Sequence, residues 1–200
     1  MTNSADAIVS LYRRHAAAYD QQRGRKLMEA RWLDRFLSLL PTAPSVLDIG
    51  CGMGEPIARH LIERGCAVTG IDSSEPLIVL CRQRFPGQSW QVADMRSLAL
   101  GQRFDGLIAW DSFFHLTPDD QRRMFPLFRT HAEEGAALLF TSGPGHGEAI
   151  GSFEGEPLYH ASLDPAEYRS LLGENGFIVV DHVAEDPECG GHTVWLVQQG

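Results

Sequence analysis

The run Val46-Leu47-Asp48-Ile49-Gly50-Cys51-Gly52-Met53-Gly54 has the composition of a strand that empties into a turn, with glycine at every second position. Three glycines remove the side chains that would hold a ligand away from the backbone. A dinucleotide fingerprint, Gly-x-Gly-x-x-Gly, would place a third glycine where this chain has Glu55, and would seat a pyrophosphate on the following helix N-terminus. A carboxylate at that helix start opposes a pyrophosphate. The turn is therefore expected to face a ligand without phosphates, which disfavours a nicotinamide-dependent oxidoreductase.

Acidic residues recur at the ends of the next strand-like runs. Gly70-Ile71-Asp72 ends the second, and a carboxylate there can accept hydrogen bonds from both hydroxyls of a ribose. Val92-Ala93-Asp94-Met95 ends the third. There Asp94 can accept from an exocyclic amino group, and Met95 offers a backbone N–H and an apolar side chain. The fourth ends in Ile108-Ala109-Trp110-Asp111-Ser112. In open α/β sheets, ligands bind at the carboxyl ends of the strands.

The elements that position these groups follow from periodicity. Ile8, Leu11, Tyr12, His15 and Tyr19 recur at helical spacing, as do Leu27, Ala30, Leu33, Leu37 and Leu40 before Pro41. From Ser45 onward strand and helix alternate, which predicts a parallel sheet covered on both faces. Ser74 and Thr117 are predicted N-caps. Pro126, inside the helix predicted over 119–133, is expected to kink it. Asp164 to Glu167 reads as a helix start closed by Gly176. The last two strands, 177–184 and 193–198, are joined by a loop without a helix, so they are expected to be antiparallel neighbours. The stretch Gly143 to Tyr159 reads as a long glycine-rich loop and a candidate lid.

Composition sets outer bounds. The net charge is -9, whereas nucleic-acid binding needs basic residues gathered on one face. No nucleic-acid partner and no membrane partner are expected. No apolar run approaches the ~20 residues of a membrane span. The four cysteines show no Cys-x-x-Cys spacing, and no His-x-x-x-His spacing accompanies them, so no metal is expected. Reduced cytoplasmic thiols are the simplest reading.

With these motifs in order, the chain resembles the class I S-adenosylmethionine (SAM)-dependent methyltransferases, in the branch that methylates small molecules. The resemblance runs from about Ser45 to Gln198. It implies a Rossmann-like, doubly wound, mostly parallel sheet of seven strands with a C-terminal antiparallel hairpin and helices on both faces. It implies one domain over 1–200: an N-terminal helical cover (1–41), a cofactor-binding core (45–142), and a substrate loop, helix and strand pair (143–200). The cofactor implied is SAM. Asp48, Gly50, Cys51, Gly52 and Gly54 are then expected along its methionine part, Asp72 with Ser73 at the ribose, Asp94 and Met95 at the adenine, and Trp110 beside the methionine moiety or the sulfonium. Tyr19 and Arg23 resemble the family's cover over the cofactor.

Methyl transfer from a sulfonium releases a neutral thioether, so catalysis is expected to rest on alignment and exclusion of water. His115 is the candidate general base, because its ordinary pKa suits proton transfer near neutrality. Tyr12, Phe113, His146, Tyr159 and His160 are candidate substrate-pocket residues. The expected partner is a small-molecule methyl acceptor, and the chain is expected to be a monomer or homodimer. The competing reading is a SAM-binding regulator without catalysis.

Overall fold

The computed structural model describes residues 4–200. The N-terminal part forms α1 (Ser4–Arg14), α2 (Ala16–Gln22) and α3 (Ala30–Ser38). The alternating core follows as β1 (Ser45–Ile49), α4 (Ile57–Glu63), β2 (Ala67–Asp72), α5 (Glu75–Arg84), β3 (Ser89–Val92), β4 (Phe104–Ala109), α6 (Pro118–His131) and β5 (Ala132–Ser142). The remainder is β6 (Gly147–Phe153), β7 (Glu156–Ser162), α7 (Pro165–Glu174), β8 (Phe177–Asp186) and β9 (His192–Gln199).

Seven strands form one sheet in the order β3-β2-β1-β4-β5-β9-β8. β1 lies between β2 and β4, both parallel to it, with Asp48 level with Gly70 and Ile108. β9 is antiparallel to β5 and to β8. This is the Rossmann-like arrangement with a C-terminal antiparallel pair. The sheet's two faces separate by residue parity. Val46, Ile108, Leu139 and Leu196 pack with Trp32 and Phe36 of α3 and with α4. Leu47, Leu107, Phe140 and Trp195 pack with Phe125 and Phe128 of α6 and Tyr168 of α7.

The caps read from the sequence have distinct outcomes. Thr117 accepts from the Asp120 N–H and Asp164 from the Ala166 N–H, as side-chain caps do. Ser74 occupies the N-cap of α5, yet its hydroxyl donates to the Tyr12 carbonyl. That bond ties α5 to α1.

Two expectations need correction. The stretch expected as a loop, 143–159, holds the two-stranded antiparallel sheet β6-β7, with Ile150 opposite Tyr159 and Ala149 opposite His160. Its glycines disguised the strand pattern. A short 3-10 turn, Pro187–Cys189, stands in the β8–β9 connection where no helix was expected. Pro126 lies inside α6, which continues through it as one helix to His131. No helix among the described residues is long and apolar enough to cross a membrane.

Candidate functional site

The glycine turn after β1 is fixed by backbone bonds. The N–H groups of Gly50 and Cys51 both donate to the Ile71 carbonyl, at 2.8 and 3.0 Å. Gly50 and Gly52 have φ of +77° and +54°, which L side chains rarely adopt. A Cβ on Gly50 would stand 2.3 Å from the Ser112 Cβ. Ser112 cannot yield easily, because its hydroxyl donates to the Ile49 carbonyl at 2.7 Å.

Asp72 closes the turn from the neighbouring strand. One carboxylate oxygen accepts from the Gly52 N–H at 3.0 Å, the other from the Ser74 N–H at 2.8 Å. Burial pushes its pKa up, opposed by those two bonds. Each oxygen keeps a second lone pair for a further donor. The Asp94 carboxyl is raised by burial but held below its usual range by Arg96, which it binds through side chain and backbone.

These groups wall one cavity, with about 780 Å³ of empty space counted out to open solvent. Gly50, Gly52, Asp72, Ser73, Asp94 and Met95 line it, as do Tyr12, Tyr19 and His115. Its carboxylates are Asp72, Asp94, Asp111 and Asp120, against one cation, Arg96. Tyr19 lies across the turn: a Cβ on Gly52 would be 3.1 Å from its ring. Burial raises the Tyr19 phenol to about 12, so it stays protonated.

His115 sits in the short turn Phe113–His115 after β4. Its Nδ1 is 2.7 Å from the Tyr159 carbonyl and its Nε2 is 3.1 Å from the Tyr12 hydroxyl. A carbonyl only accepts, so the proton resides on Nδ1. Burial, with His160 nearby, lowers its pKa to about 4. The ring is therefore neutral at pH 7, and Nε2 accepts from Tyr12.

Other expected site residues lie elsewhere. Phe113 is buried in the α6–α7 core against Phe125, Phe128 and Phe140, so it does not form a substrate pocket. Trp110 shares the parity of Ile108 and packs on the α3 face, where its ring lies tilted 5.6 Å from that of His192; it does not line the cavity. Asp48 is buried outside the cavity wall, and burial plus Asp72 raises its pKa to about 7. Cys51 and Gly54 lie behind the turn, near Cys81 and Phe85. Arg23 binds the fully buried Glu29 at 2.6 Å and does not line the cavity. Tyr159 packs under α1 with Ala5, Ile8 and Leu11. His146 is exposed and lines neither this cavity nor the second one described below.

Glu55 is not the free charge expected at the helix start. Its carboxylate pairs with Arg25, Arg59 and Arg84. It therefore presents no free charge to repel a phosphate.

Asp111 was missed as a site residue. It takes φ of +49°, a region that Asp tolerates better than most residues. Its N–H donates to Thr141 Oγ1, and its carboxylate meets His192 Nε2 at 3.0 Å. Its position at a strand end was the available signal.

Residues 46–135 match the family model described as "Methyltransferase domain". The matched stretch spans the glycine turn, Asp72, Asp94 and His115. The chain is 29% identical over 108 residues to a dTDP-3-amino-3,4,6-trideoxy-alpha-D-glucopyranose N,N-dimethyltransferase of Streptomyces venezuelae, covering 53% of this chain and 45% of that protein. It is 28% identical over 185 residues to a malonyl-[acyl-carrier protein] O-methyltransferase of Pseudescherichia vulneris, covering 90% of this chain and 66% of that protein. The chain thus spans less than half the length of the first relative. A SAM-bound amino pentose methyltransferase from Micromonospora echinaspora shares the fold, with TM-score 0.73, 18% identity, and coverage of 94% of this chain and 96% of that chain.

Proposed function

We propose that the chain transfers a methyl group from SAM to a small-molecule acceptor. The observation that carries this reading is the Asp72 carboxylate, held at the cavity wall by the Gly52 N–H with lone pairs to spare. That arrangement suits a nucleoside: bare backbone at the turn, a carboxylate for the ribose hydroxyls, and Asp94 with Met95 for the base. The excess of carboxylates along the wall suits a ligand that carries a positive sulfonium.

When bound, SAM supplies a methyl group whose bond to sulfur breaks with its electron pair staying on sulfur. The chain's own residues would then do three things. Tyr12 and Tyr19 place ring surface near a cation and exclude water. The cavity walls align the acceptor's lone pair with the methyl carbon. His115 Nε2, kept neutral by burial, takes the proton that the acceptor loses. This assignment makes His115 a base for acceptors whose proton must leave.

The test is calorimetry of SAM and of S-adenosylhomocysteine against the full chain, followed by detection of S-adenosylhomocysteine formed when acceptor pools are added. Saturable binding of both ligands is expected. Absence of heat with either ligand would overturn the reading. A chain that binds both yet releases no product with any acceptor would instead be a SAM-binding regulator.

A further inference from the structure

A second cavity, with about 700 Å³ of empty space out to solvent, opens between the end of β5 and the β6-β7 sheet. Phe114, Ser142, Gly143, Glu148, His160 and Ser162 are among its walls. Aromatic rings in its wall touch one that lines the first cavity. The ring of His115, which lines the first, has its centroid 4.9 Å from those of Phe114 and His160, which line the second. Phe114 and His160 are themselves 5.2 Å apart. These separations lie in the range where rings attract ring partners, ~4.5–7 Å.

The charges around this cavity are one-sided. Glu148 lines it, and no arginine or lysine does. Burial lowers the pKa of His160, which disfavours a positive charge there. Three arginines near the first cavity and the hairpin are held in ion pairs, while Arg13 donates to the Ser73 carbonyl. Arg96 binds Asp94, Arg14 binds Glu156, and Arg23 binds Glu29. A carboxylate or phosphate entering here would meet Glu148 and find no cation in the cavity wall.

We infer that the second cavity seats the methyl acceptor, and that this acceptor presents a flat ring and bears no acidic group. This rests on the methyl-transfer reading above. The ring would pack on Phe114 and His160, with its reacting atom at the edge next to His115. Glycines at 143, 145 and 147 keep the rim of the cavity free of side chains, which leaves room for a planar molecule.

The test uses three probes that share one ring system: indole, tryptamine and indoleacetate. Each is titrated by calorimetry into the full chain, alone and saturated with S-adenosylhomocysteine. Indole and tryptamine are expected to bind, with indoleacetate about tenfold weaker or more. Phe114→Ala is expected to weaken indole about fivefold or more by loss of ring contact, while S-adenosylhomocysteine affinity stays unchanged. Ala149→Lys, at an exposed position in the cavity wall, is expected to narrow the gap between indole and indoleacetate. The inference is overturned if no probe binds, if indoleacetate binds as tightly as indole, or if neither variant moves probe affinity. Failure of S-adenosylhomocysteine to bind while the probes behave as expected would sink the methyl-transfer reading and leave the ring-and-charge selectivity standing.

Discussion

The Tyr12 hydroxyl stands 3.1 Å from Nε2 of His115, so the first helix and the turn after β4 meet across the cavity. Removing the base should separate chemistry from binding. His115→Gln is expected to lower kcat by about 10²–10⁴ for an acceptor that must lose a proton, with S-adenosylhomocysteine affinity kept. Tyr12→Phe should cost far less, since it leaves Nε2 free. Single-turnover kinetics beside calorimetry reads both, and a His115→Gln enzyme of normal kcat would exclude the base role.

The same histidine sets a pH dependence. Its folded pKa, about 4, lies below the ordinary 6.5, so the unfolded chain takes up the proton first as pH falls. Stability from this group is complete above about 6.5 and is lost as pH drops toward about 4. Thermal melts of wild type and His115→Gln should therefore diverge at neutral pH and converge in acid. Catalysis that uses Nε2 as base should fade over that lower limb.

His192 carries the opposite sign. Its Nε2 meets Asp111 and its Nδ1 meets the Cys189 carbonyl, so both nitrogens face acceptors. The hydrogen bond to Asp111 is the main reason its pKa is raised, against burial. The pair stabilises fully below the ordinary histidine pKa and weakens as pH rises through the raised value. If the pair contributes about 1 kcal/mol, His192→Gln should lower Tm by about 2–4 °C at pH 6 and by less at pH 9. Equal losses at both pH values would show that the charge contributes nothing.

Asp72 joins the turn to the proposed ribose site. Losing hydrogen bonds to a charged acceptor costs about 1.5–3 kcal/mol each. Asp72→Ala is thus expected to weaken S-adenosylhomocysteine at least about tenfold. Asp94→Ala should cost less, because Asp94 is already committed to Arg96. Calorimetric Kd values decide the order, and Asp94 proving the more costly of the two would reverse the assignment.

Gly52→Ala tests the bare backbone. An L residue at φ of +54° costs roughly 1–2 kcal/mol, and its Cβ would press on Tyr19. A Tm lower by about 2–8 °C and loss of cofactor binding are expected together. Normal binding in that variant would mean that the ligand does not approach the turn.

Much of this was legible in the sequence because it is local. Strand-end acids, the glycine spacing and the Thr117 and Asp164 caps depend on neighbouring residues, and the alternation of strand and helix gave the sheet. Side-chain destination was less legible. Phe113 and Phe114 are adjacent, yet one is core and the other lines a cavity, because successive residues leave the short turn in different directions. Trp110 followed the parity of its strand onto the α3 face. Arg23 was read as part of a cover over the cofactor, but the residue that binds it, Glu29, reveals itself only when α3 is in place. The β6-β7 sheet escaped because glycine lowers strand propensity.

The insertion of β9 between β5 and β8 also governs how the chain can be made. β8 emerges from the ribosome before its only sheet partner, and until residues 192–199 follow, β5 presents an open edge with unpaired backbone groups. Such an edge invites pairing with other chains. Stalled or truncated translation products ending near residue 190 should therefore aggregate and depend on chaperones, although they already contain the glycine turn and every acid proposed to hold the cofactor.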